Sequence, residues 1–278
     1  MRLNTQIDQP DILREIAYAI SYVRKYCLIT FDNGMMSIVS HDDAQIWTHL
    51  NMNDILSNTQ ISSLDKNVIN LEMNVELLAR ALKSVSSAGV LKMRLAKKQS
   101  IPHLVISAEH ASRSGHTTKI AQEIPVKVIR QHSIVTAHEP DFGQISVGVE
   151  LPRQYANVLK ICERYRTLGS RITVSASRAG ELRMAVRNDD VYVETTWANL
   201  NVVHMETDEA QDSESQSIDS FYNVQVDAKE LSGVLRIHSA ASRIVLGIYE
   251  DHMLTINVAL AGLENGNYMN CYLPNRMN

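Results

Sequence analysis

Residues 70–108 read NLEMNVELLARALKSVSSAGVLKMRLAKKQSIPHLVISA, and this stretch decides the fold because a later part of the chain repeats its pattern. The first residues alternate apolar and polar as in a strand, and Asn74 is a residue type that caps the start of a helix. Apolar residues then recur at helical spacing as far as Gly89, a typical residue at a helix end. Two alternating segments follow from Leu91 onward. The stretch therefore predicts a strand, a helix and a pair of strands, in that order.

The second copy begins at Asn223 and reads NVQVDAKELSGVLRIHSAASRIVLGIYEDHMLTINVALAG. Eight residues of the first copy match it at a constant offset of 153 positions (224 minus 71, 248 minus 95): Leu71, Met73, Asn74, Leu78, Leu82, Leu91, Met93 and Leu95 correspond to Val224, Val226, Asp227, Leu231, Leu235, Ile244, Leu246 and Ile248. The offset shifts only in the next hairpin, where Leu104 and Ile106 match Leu254 and Ile256 after a shorter loop. The repeat predicts an internal duplication and hence two similar domains.

Both halves also begin alike, with an alternating strand, a proline and a helix. Pro10 is expected to open a helix that runs to about Tyr26, and Pro152 one that ends near Gly169. Each helix is followed by three strands, whereas residues 51–67 are polar and predict a loop. The predicted organisation is a first domain over residues 1–124, a linker over residues 125–143, and a second domain over residues 144–278 with an acidic loop at residues 206–220. The fold class is α+β, with two helices in each domain packed on antiparallel sheet.

Composition limits what the protein can be. Among 278 residues, 45% are hydrophobic and 21% are charged, with no apolar run of about 18 residues, so neither a membrane span nor a secretory leader is expected. Three widely spaced cysteines, Cys27, Cys162 and Cys271, favour buried single thiols in a reducing compartment. A net charge of −4 gives no sign of nucleic-acid binding for the chain as a whole. Any such function must depend on where the charges lie.

Cations recur on one side of all four predicted helices. On the helix after Pro152, Lys160 and Arg164 lie opposite the apolar face, and similar spacings occur on the others. The candidate DNA-contacting residues are Arg14, Lys25, Arg80, Lys83, Arg153, Lys160, Arg164, Lys229 and Arg236. Taken singly, each stripe is explained as an ordinary solvated face, but cations on every helix and acids in the loop divide the surface by sign. The pattern favours phosphate contact without sequence readout.

Enzyme motifs are absent from the sequence. The one partial match, the SxxK of Ser63 to Lys66, lies in a polar stretch without its companion motifs. His41-Asp42-Asp43 is better explained as a hairpin turn than as a metal or acid–base site, and the spacing of His103, His110 and His116 fits no common zinc motif. No enzymatic activity, cofactor or metal is therefore expected, although a hydrolase with a site in the Ser63 or His41 loops is the rival from another class.

Several stretches resemble the sliding-clamp fold of proliferating cell nuclear antigen and, within it, the Hus family of the heterotrimeric DNA-damage checkpoint clamp. They are residues 70–83 with 91–93, residues 123–129 (EIPVKVI), and the ending Tyr272-Leu273-Pro274. The resemblance spans the whole chain. The tryptophan usual in the family shortly after Ile129 is missing from RQHSIVTAHEP, so the resemblance says little about partner binding by this linker.

The resemblance implies a nuclear, non-enzymatic subunit that closes a ring with two Rad-type clamp subunits. Such a ring holds duplex DNA without regard to sequence, is loaded by an ATP-dependent clamp loader, and presents a platform for checkpoint and repair proteins, with no membrane role. A homo-oligomeric replication processivity clamp is the alternative. The helices would line the hole, and Arg80 and Lys83 fall where the replication clamp carries two lysines.

Two strands are expected to form the subunit edges of such a ring, namely residues 117–124 and residues 191–197. The candidate interface residues are Lys119, Ile120, Ala121, Gln122, Val191, Tyr192, Val193, Glu194 and Thr195. The loop at residues 206–220 has six acids and no Lys or Arg, and is expected to be dispensable for folding. Phosphorylation at Ser213, Ser215 or Ser217 and a merely solvated insertion remain alternative roles for it.

Overall fold

The structure is a computed structural model that describes residues 1–277 except 41–43, 65, 86–89, 112–116, 131–138, 141–142, 144, 204–219 and 264–265. The chain divides into two compact units. Unit 1 comprises Met1–His41, Ile46–His138 and Gly262–Met269, and unit 2 comprises Asp42–Gln45, Glu139–Ala261 and Asn270–Asn278.

The first half of the chain forms two helices packed on a sheet, with one extra helical turn. Its elements are β1 (Arg2–Ile7), α1 (Pro10–Val23), β2 (Tyr26–Asp32), β3 (Met35–Ser40), β4 (Gln45–Asn51), α2 (Met52–Ile55), β5 (Leu56–Ser62), β6 (Ile69–Asn74), α3 (Val75–Val85), β7 (Val90–Lys98), β8 (Ile101–Ala111) and β9 (Thr117–Ile129). The strands pair in the order β4-β3-β2-β6-β9-β8-β7-β1-β5. Helices α1 and α3 pack against each other.

The second half repeats this plan in two separate runs of strands. Its elements are β10 (Val147–Glu150), α4 (Tyr155–Leu168), β11 (Arg171–Ser177), β12 (Leu182–Arg187), β13 (Tyr192–Trp197), β14 (Phe221–Asp227), α5 (Ala228–Val234), a 3-10 helix (Leu235–Ser239), β15 (Ala241–Tyr249), β16 (Met253–Leu260) and β17 (Tyr268–Pro274). The runs are β10-β15-β16-β17 and β13-β12-β11-β14. They reproduce, strand for strand, β1-β7-β8-β9 and β4-β3-β2-β6 of the first half.

The strand register confirms the duplication read from the sequence. Met93 pairs with Ile106 in the β7–β8 hairpin, and the matching residues Leu246 and Ile256 pair in the β15–β16 hairpin. Buried and exposed side chains alternate along the first half of β7, as in a sheet with one buried face, whereas the centre of β15 is buried without interruption.

Helix capping is of the same kind in the two copies. The Asn74 side-chain oxygen accepts the backbone N–H of Glu76 at 3.0 Å at the start of α3. At the start of α5, the Asp227 carboxylate accepts the N–H groups of Lys229 and Glu230 at 2.8 and 2.9 Å. Each cap satisfies backbone donors that the helix leaves without partners and stabilises it by about 1 kcal/mol.

Strand β9 extends five residues into the stretch that the sequence assigned to the linker. Pro125 lies opposite His103 of β8, and from Val126 to Ile129 the strand pairs with β6 instead. Proline lacks a backbone donor, and here it occupies the position at which the strand changes partner, so it does not end the strand.

The segment Gly262–Met269 belongs to unit 1, although the sequence assigned all of residues 144–278 to the second domain. The Asn267 side chain accepts the backbone N–H of Asn51 at 2.7 Å, and its amide donates to the Asp54 carboxylate. These hydrogen bonds fix the segment beside α2. A local sequence pattern cannot predict them, because the bonded residues are 216 and 213 positions apart in the sequence.

Other element bounds also differ from expectation. The predicted loop at residues 51–67 contains α2 and β5, α1 ends at Val23 rather than near Tyr26, and α4 begins at Tyr155. The His41-Asp42-Asp43 turn, Gly89, most of the linker and nearly all of the acidic loop at residues 206–220 lie outside the described residues. The strand predicted for residues 144–151 is shorter, Val147–Glu150.

Candidate nucleic-acid and subunit interfaces

Helix α4 carries the clearest cationic surface. Lys160 and Arg164 are exposed and one turn apart, on the side opposite the buried residues Tyr155, Val158, Leu159, Cys162 and Tyr165. Neither forms an ion pair with an acidic side chain in the described part of the chain. The neighbouring Glu163 is bound by Arg236, which neutralises the acid on this side of the helix. Among the described residues, the positive charge on the exposed face of α4 is therefore uncompensated.

Helix α3 has a weaker version of this surface. Arg80 and Lys83 are both exposed, but the Arg80 guanidinium forms an i,i+4 ion pair with Glu76. The Arg80 side chain is 70% exposed, so this pair is solvated and contributes only about 0.3–0.5 kcal/mol. A phosphate can therefore compete with Glu76 for Arg80.

Helix α1 does not present the free cationic stripe that its sequence suggested. Arg14 lies between Asp11 at 2.7 Å and Glu15 at 2.9 Å, and its side chain is only 26% exposed. Lys25 follows the end of the helix, with its ammonium 5.5 Å from the centre of the Tyr26 ring. Local acids thus neutralise the one predicted cation within α1 itself.

The remaining candidates divide in the same way. Lys229 is exposed in the first turn of α5. Arg236 lies beyond that helix, in the 3-10 segment, where it is 27% exposed and bound to Glu163. Arg153 is exposed but precedes α4, so its position is set by the loop after β10 rather than by helical spacing. Seven of the nine candidates are thus exposed on or next to a helix: Lys25, Arg80, Lys83, Arg153, Lys160, Arg164 and Lys229.

Strand β13 is an edge strand within its own sheet. Among the described residues it pairs only with β12, and none of its side chains is buried. Tyr192 is 54% exposed and donates its hydroxyl to Glu194, which raises the pKa of the tyrosine. Thr195 and the Tyr165 hydroxyl lie 2.6 Å apart in a hydrogen bond. Since these side chains are engaged within the chain, what this edge offers a neighbour is its row of backbone N–H and C=O groups.

Val191 does not belong to this edge, although the sequence included it. Its N–H donates to the Asn188 side chain at 2.7 Å and its carbonyl accepts the Asn188 N–H at 3.0 Å. Both backbone groups are therefore used in the turn between β12 and β13.

The first nine residues of β9 form a second half-paired strand. Lys119, Ile120, Ala121 and Gln122 pair with Glu109, Ala108, Ser107 and Ile106 of β8. Pairing of β9 with β6 starts only at Val126 of β9, so residues 118–124 have one described ladder partner. Lys119 also forms an exposed ion pair with Glu109 at 3.1 Å.

Several other sequence candidates show no converging chemistry. In the described residues no group of three His, Cys, Asp or Glu side chains is arranged to hold a metal ion, and no helix is long and apolar enough to cross a membrane. The three cysteines are buried and unbridged, as predicted. The outward face of β12 carries two further arginines, Arg183 and Arg187. Helical spacing does not identify them, because they follow the two-residue period of a strand.

The fold and the family of the chain follow from comparison with known proteins. The crystal structure of proliferating cellular nuclear antigen from Entamoeba histolytica matches with a TM-score of 0.73 and 13% identity, covering 99% of each chain. The fold is therefore that of a DNA sliding clamp. A family model described as Hus1-like protein matches residues 1–277. The chain belongs to the Hus1-like family of checkpoint proteins.

Two curated relatives agree with this family assignment. Checkpoint protein hus1 of Schizosaccharomyces pombe is 27% identical over 274 residues, which are 95% of each chain. Checkpoint protein HUS1 of Homo sapiens is 24% identical over 223 residues, or 78% of each chain.

Proposed function

We propose that the chain is one subunit of a ring of three different clamp subunits that encircles duplex DNA at sites of damage. The two partners are Rad-type clamp subunits, each of which pairs with one edge of this chain. The ring acts in the nucleus without enzymatic activity, is placed on DNA by an ATP-dependent clamp loader, and serves as a platform for checkpoint and repair proteins.

The observation that carries the proposal is the presence of two half-paired strands, one in each unit. Residues 118–124 of β9 and the whole of β13 each have a ladder partner on one side only in the described structure. Exposed strand edges bind another chain readily, and soluble proteins usually cover or break them. Two such edges in one clamp-like chain suit a subunit with a neighbour on either side.

The charge distribution supports DNA as the ligand of the ring. Exposed cations cluster on α3, α4 and the start of α5, although the chain as a whole has a net charge of −4. Lysine and arginine side chains spread over helices attract phosphates without fixing a register, which suits a protein that slides. On the described helices, the aromatic side chains that are not buried are Tyr18 and Tyr22 of α1, whose rings pack against each other at 5.6 Å with a tilt of 57°. One tilted pair does not form a series of parallel faces on which successive bases could stack, so single-stranded binding is not favoured.

Topological retention on DNA tests this proposal. The chain, its two partner subunits and the loader are incubated with ATP and nicked circular duplex, and the circles are washed at high salt. We expect the complex to remain on circles and to dissociate when a restriction enzyme linearises them. Equal retention on linear DNA with free ends would contradict encirclement.

A further inference from the structure

Unit 2 has a polar cavity on the outward face of the sheet β13-β12-β11-β14, away from the helices. Its volume is about 460 Å³. The floor consists of small or amide-bearing side chains from three strands: Thr173, Ser175, Ala185, Asn223 and Gln225. Such a floor offers hydrogen-bonding groups to a ligand.

The two ends of the cavity are formed by arginines that are held by aromatic rings. The Arg183 guanidinium lies 3.8 Å from the centre of the Phe221 ring, and the Arg187 guanidinium lies 5.0 Å from that of Tyr192. Stacking restricts both side chains, so binding a ligand costs them less conformational entropy. Arginine and aromatic residues are also the types enriched in protein interfaces.

Each arginine retains the capacity to bind an anion. Arg183 donates to Glu181 at 3.0 Å, and its side chain is still 38% exposed, so a ligand can reach its other N–H groups. Arg187 is exposed and forms no ion pair in the described part of the chain. Arg171, which donates weakly to Gln225 at 3.5 Å, adds a third cation near the Arg187 end.

One acid lies in the cavity, midway between the arginines. Glu194 of β13 is the ladder partner of Ala185, and Ala185 lies between Arg183 and Arg187 on β12. The hydrogen bond from the neutral Tyr192 hydroxyl keeps Glu194 in place without neutralising its charge. The cavity therefore has an arginine at each end, with Arg183 also bound to Glu181, and a carboxylate in the middle.

The spacing of the arginines defines the size of a matching ligand. Arg183 and Arg187 are four residues apart on one strand, so their Cα atoms are separated by roughly 13 Å. Side chains at positions i and i+4 of an extended peptide are on the same face with the same separation. The small Ala185 between them leaves room for the side chain at i+2.

We propose that this cavity binds an extended segment of a partner protein that has acidic side chains at i and i+4 and an uncharged residue at i+2. The acids bind Arg183 and Arg187, and the residue at i+2 lies over Ala185 beside Glu194. A continuous row of negative charge, as in a nucleic-acid backbone, would bring anions against Glu194, so the central acid selects for the alternating pattern. This inference is independent of whether the chain forms a ring.

Binding of labelled peptides to the full-length chain, measured by fluorescence anisotropy, tests the proposed pattern of acidic residues. The probe is a labelled nine-residue peptide of serine and threonine with glutamate at its third and seventh positions. Moving the second glutamate by one position keeps the charge but turns it to the opposite face, and should weaken binding at least fivefold. Adding a glutamate at the fifth position should also weaken binding, although it adds charge, and Glu194→Gln should remove that penalty.

Variants of the chain assign the peptide to the cavity. Arg187→Ala and Ala185→Trp should each weaken binding of the matched peptide at least fivefold, whereas Arg94→Ala, an exposed arginine on β7 in unit 1, should change it less than twofold. Equal binding of all three peptides, or unchanged binding by both cavity variants, would overturn the proposal. A gain of tenfold or more on deletion of residues 206–219 would assign the cavity to the acidic segment of the chain itself and would equally overturn it.

Discussion

Two arginines that look equivalent in the sequence, Arg164 and Arg236, have different roles at the residue scale. Arg164 is exposed without an ion pair in the described structure, whereas Arg236 is bound to Glu163. The sequence could not separate them, because Glu163 and Arg236 are 73 positions apart and meet only after α4 and the 3-10 helix pack. Solvated cations such as Arg164 are available to phosphates, whereas Arg236 stabilises the packing of its own helices.

The first prediction at this scale concerns DNA affinity. Lys160→Glu combined with Arg164→Glu should lower the affinity of the assembled ring for duplex DNA by about tenfold or more at low salt, because repulsion replaces attraction to phosphate. The slope of log affinity against log salt should become shallower by about one unit for each phosphate that the variant no longer neutralises. Anisotropy titrations at several salt concentrations measure both quantities.

A matched control makes the same charge change on a strand. Lys92→Glu with Arg94→Glu alters two exposed cations of β7, which is not part of the helical surface. Its effect on affinity should be less than twofold. If both double variants weaken binding equally, net charge rather than the α4 surface determines DNA affinity.

The second prediction separates structural from exposed cations by stability. Arg236→Gln should lower the free energy of unfolding by about 1 kcal/mol, since the half-buried Glu163 is left without its partner. Lys229→Gln, at an exposed position, should change it by less than about 0.5 kcal/mol. Urea denaturation of the two variants gives the comparison, and an equal destabilisation would mean that Arg236 is only another solvated cation.

At the scale of elements, the proposed function assigns subunit contacts to the open strand edges. Backbone N–H groups alternate in direction along a strand, so of two adjacent residues only one donates toward the open edge. Proline should therefore be placed separately at Glu194 and Thr195 in β13, and separately at Ala121 and Gln122 in β9. In each pair, the proline that removes the outward donor should abolish binding of one partner while the monomer remains folded.

Pull-down with each partner subunit, together with circular dichroism of the monomer, checks this prediction. The β9 and β13 variants should fail to bind different partners, because the two edges face different neighbours in a ring. Intact trimer from all four variants would show that the interfaces lie elsewhere.

The repeated unit was predictable because its strands alternate and its helices carry N-caps, so local pattern and final structure agree. Strand β5 could not be predicted from the sequence. It is an edge strand with mostly exposed side chains, and it therefore lacks the alternation that marks a half-buried strand. The continuation of β9 beyond Pro125 could not be predicted either, since proline cannot donate to a ladder and normally occurs only in edge strands, at strand starts or at bulges.

The candidate site was predictable in part. Helical spacing identified Lys160 and Arg164 correctly as exposed residues of one face. It could not place Arg153, because no Ser, Thr, Asp or Asn marks the start of α4 and the helix begins three residues after Pro152. Helical spacing could not reveal the outward cavity on β12, since the cavity depends on residues brought together from four strands.

For the whole molecule, the three buried thiols make stability depend on pH. Burial raises the pKa of Cys27 and of Cys162 to about 12, and raises the pKa of Cys271 as well. An unfolded thiol gives up its proton above about pH 8.5, whereas the folded protein holds it, so stability is full below that pH and declines as the pH rises toward 12.

The third prediction follows from the decline of stability with rising pH. Above about pH 9, each buried thiol should reduce the free energy of unfolding by about 1.4 kcal/mol per pH unit. Because lysines and tyrosines also titrate there, the diagnostic quantity is the difference between the native chain and Cys162→Ala. The free energy of unfolding of Cys162→Ala should fall less steeply with pH than that of the native chain, by the contribution of one thiol, about 1.4 kcal/mol per pH unit. An identical slope would mean that Cys162 ionises in the folded state.

The ring itself is tested most directly by native mass spectrometry of the purified chain, alone and with its two partner subunits. We expect a monomer of 31.2 kDa alone and a single complex containing one copy of each subunit when the partners are present. A stable assembly near three times 31.2 kDa without any partner would instead identify a homotrimeric clamp and would contradict the heterotrimeric account.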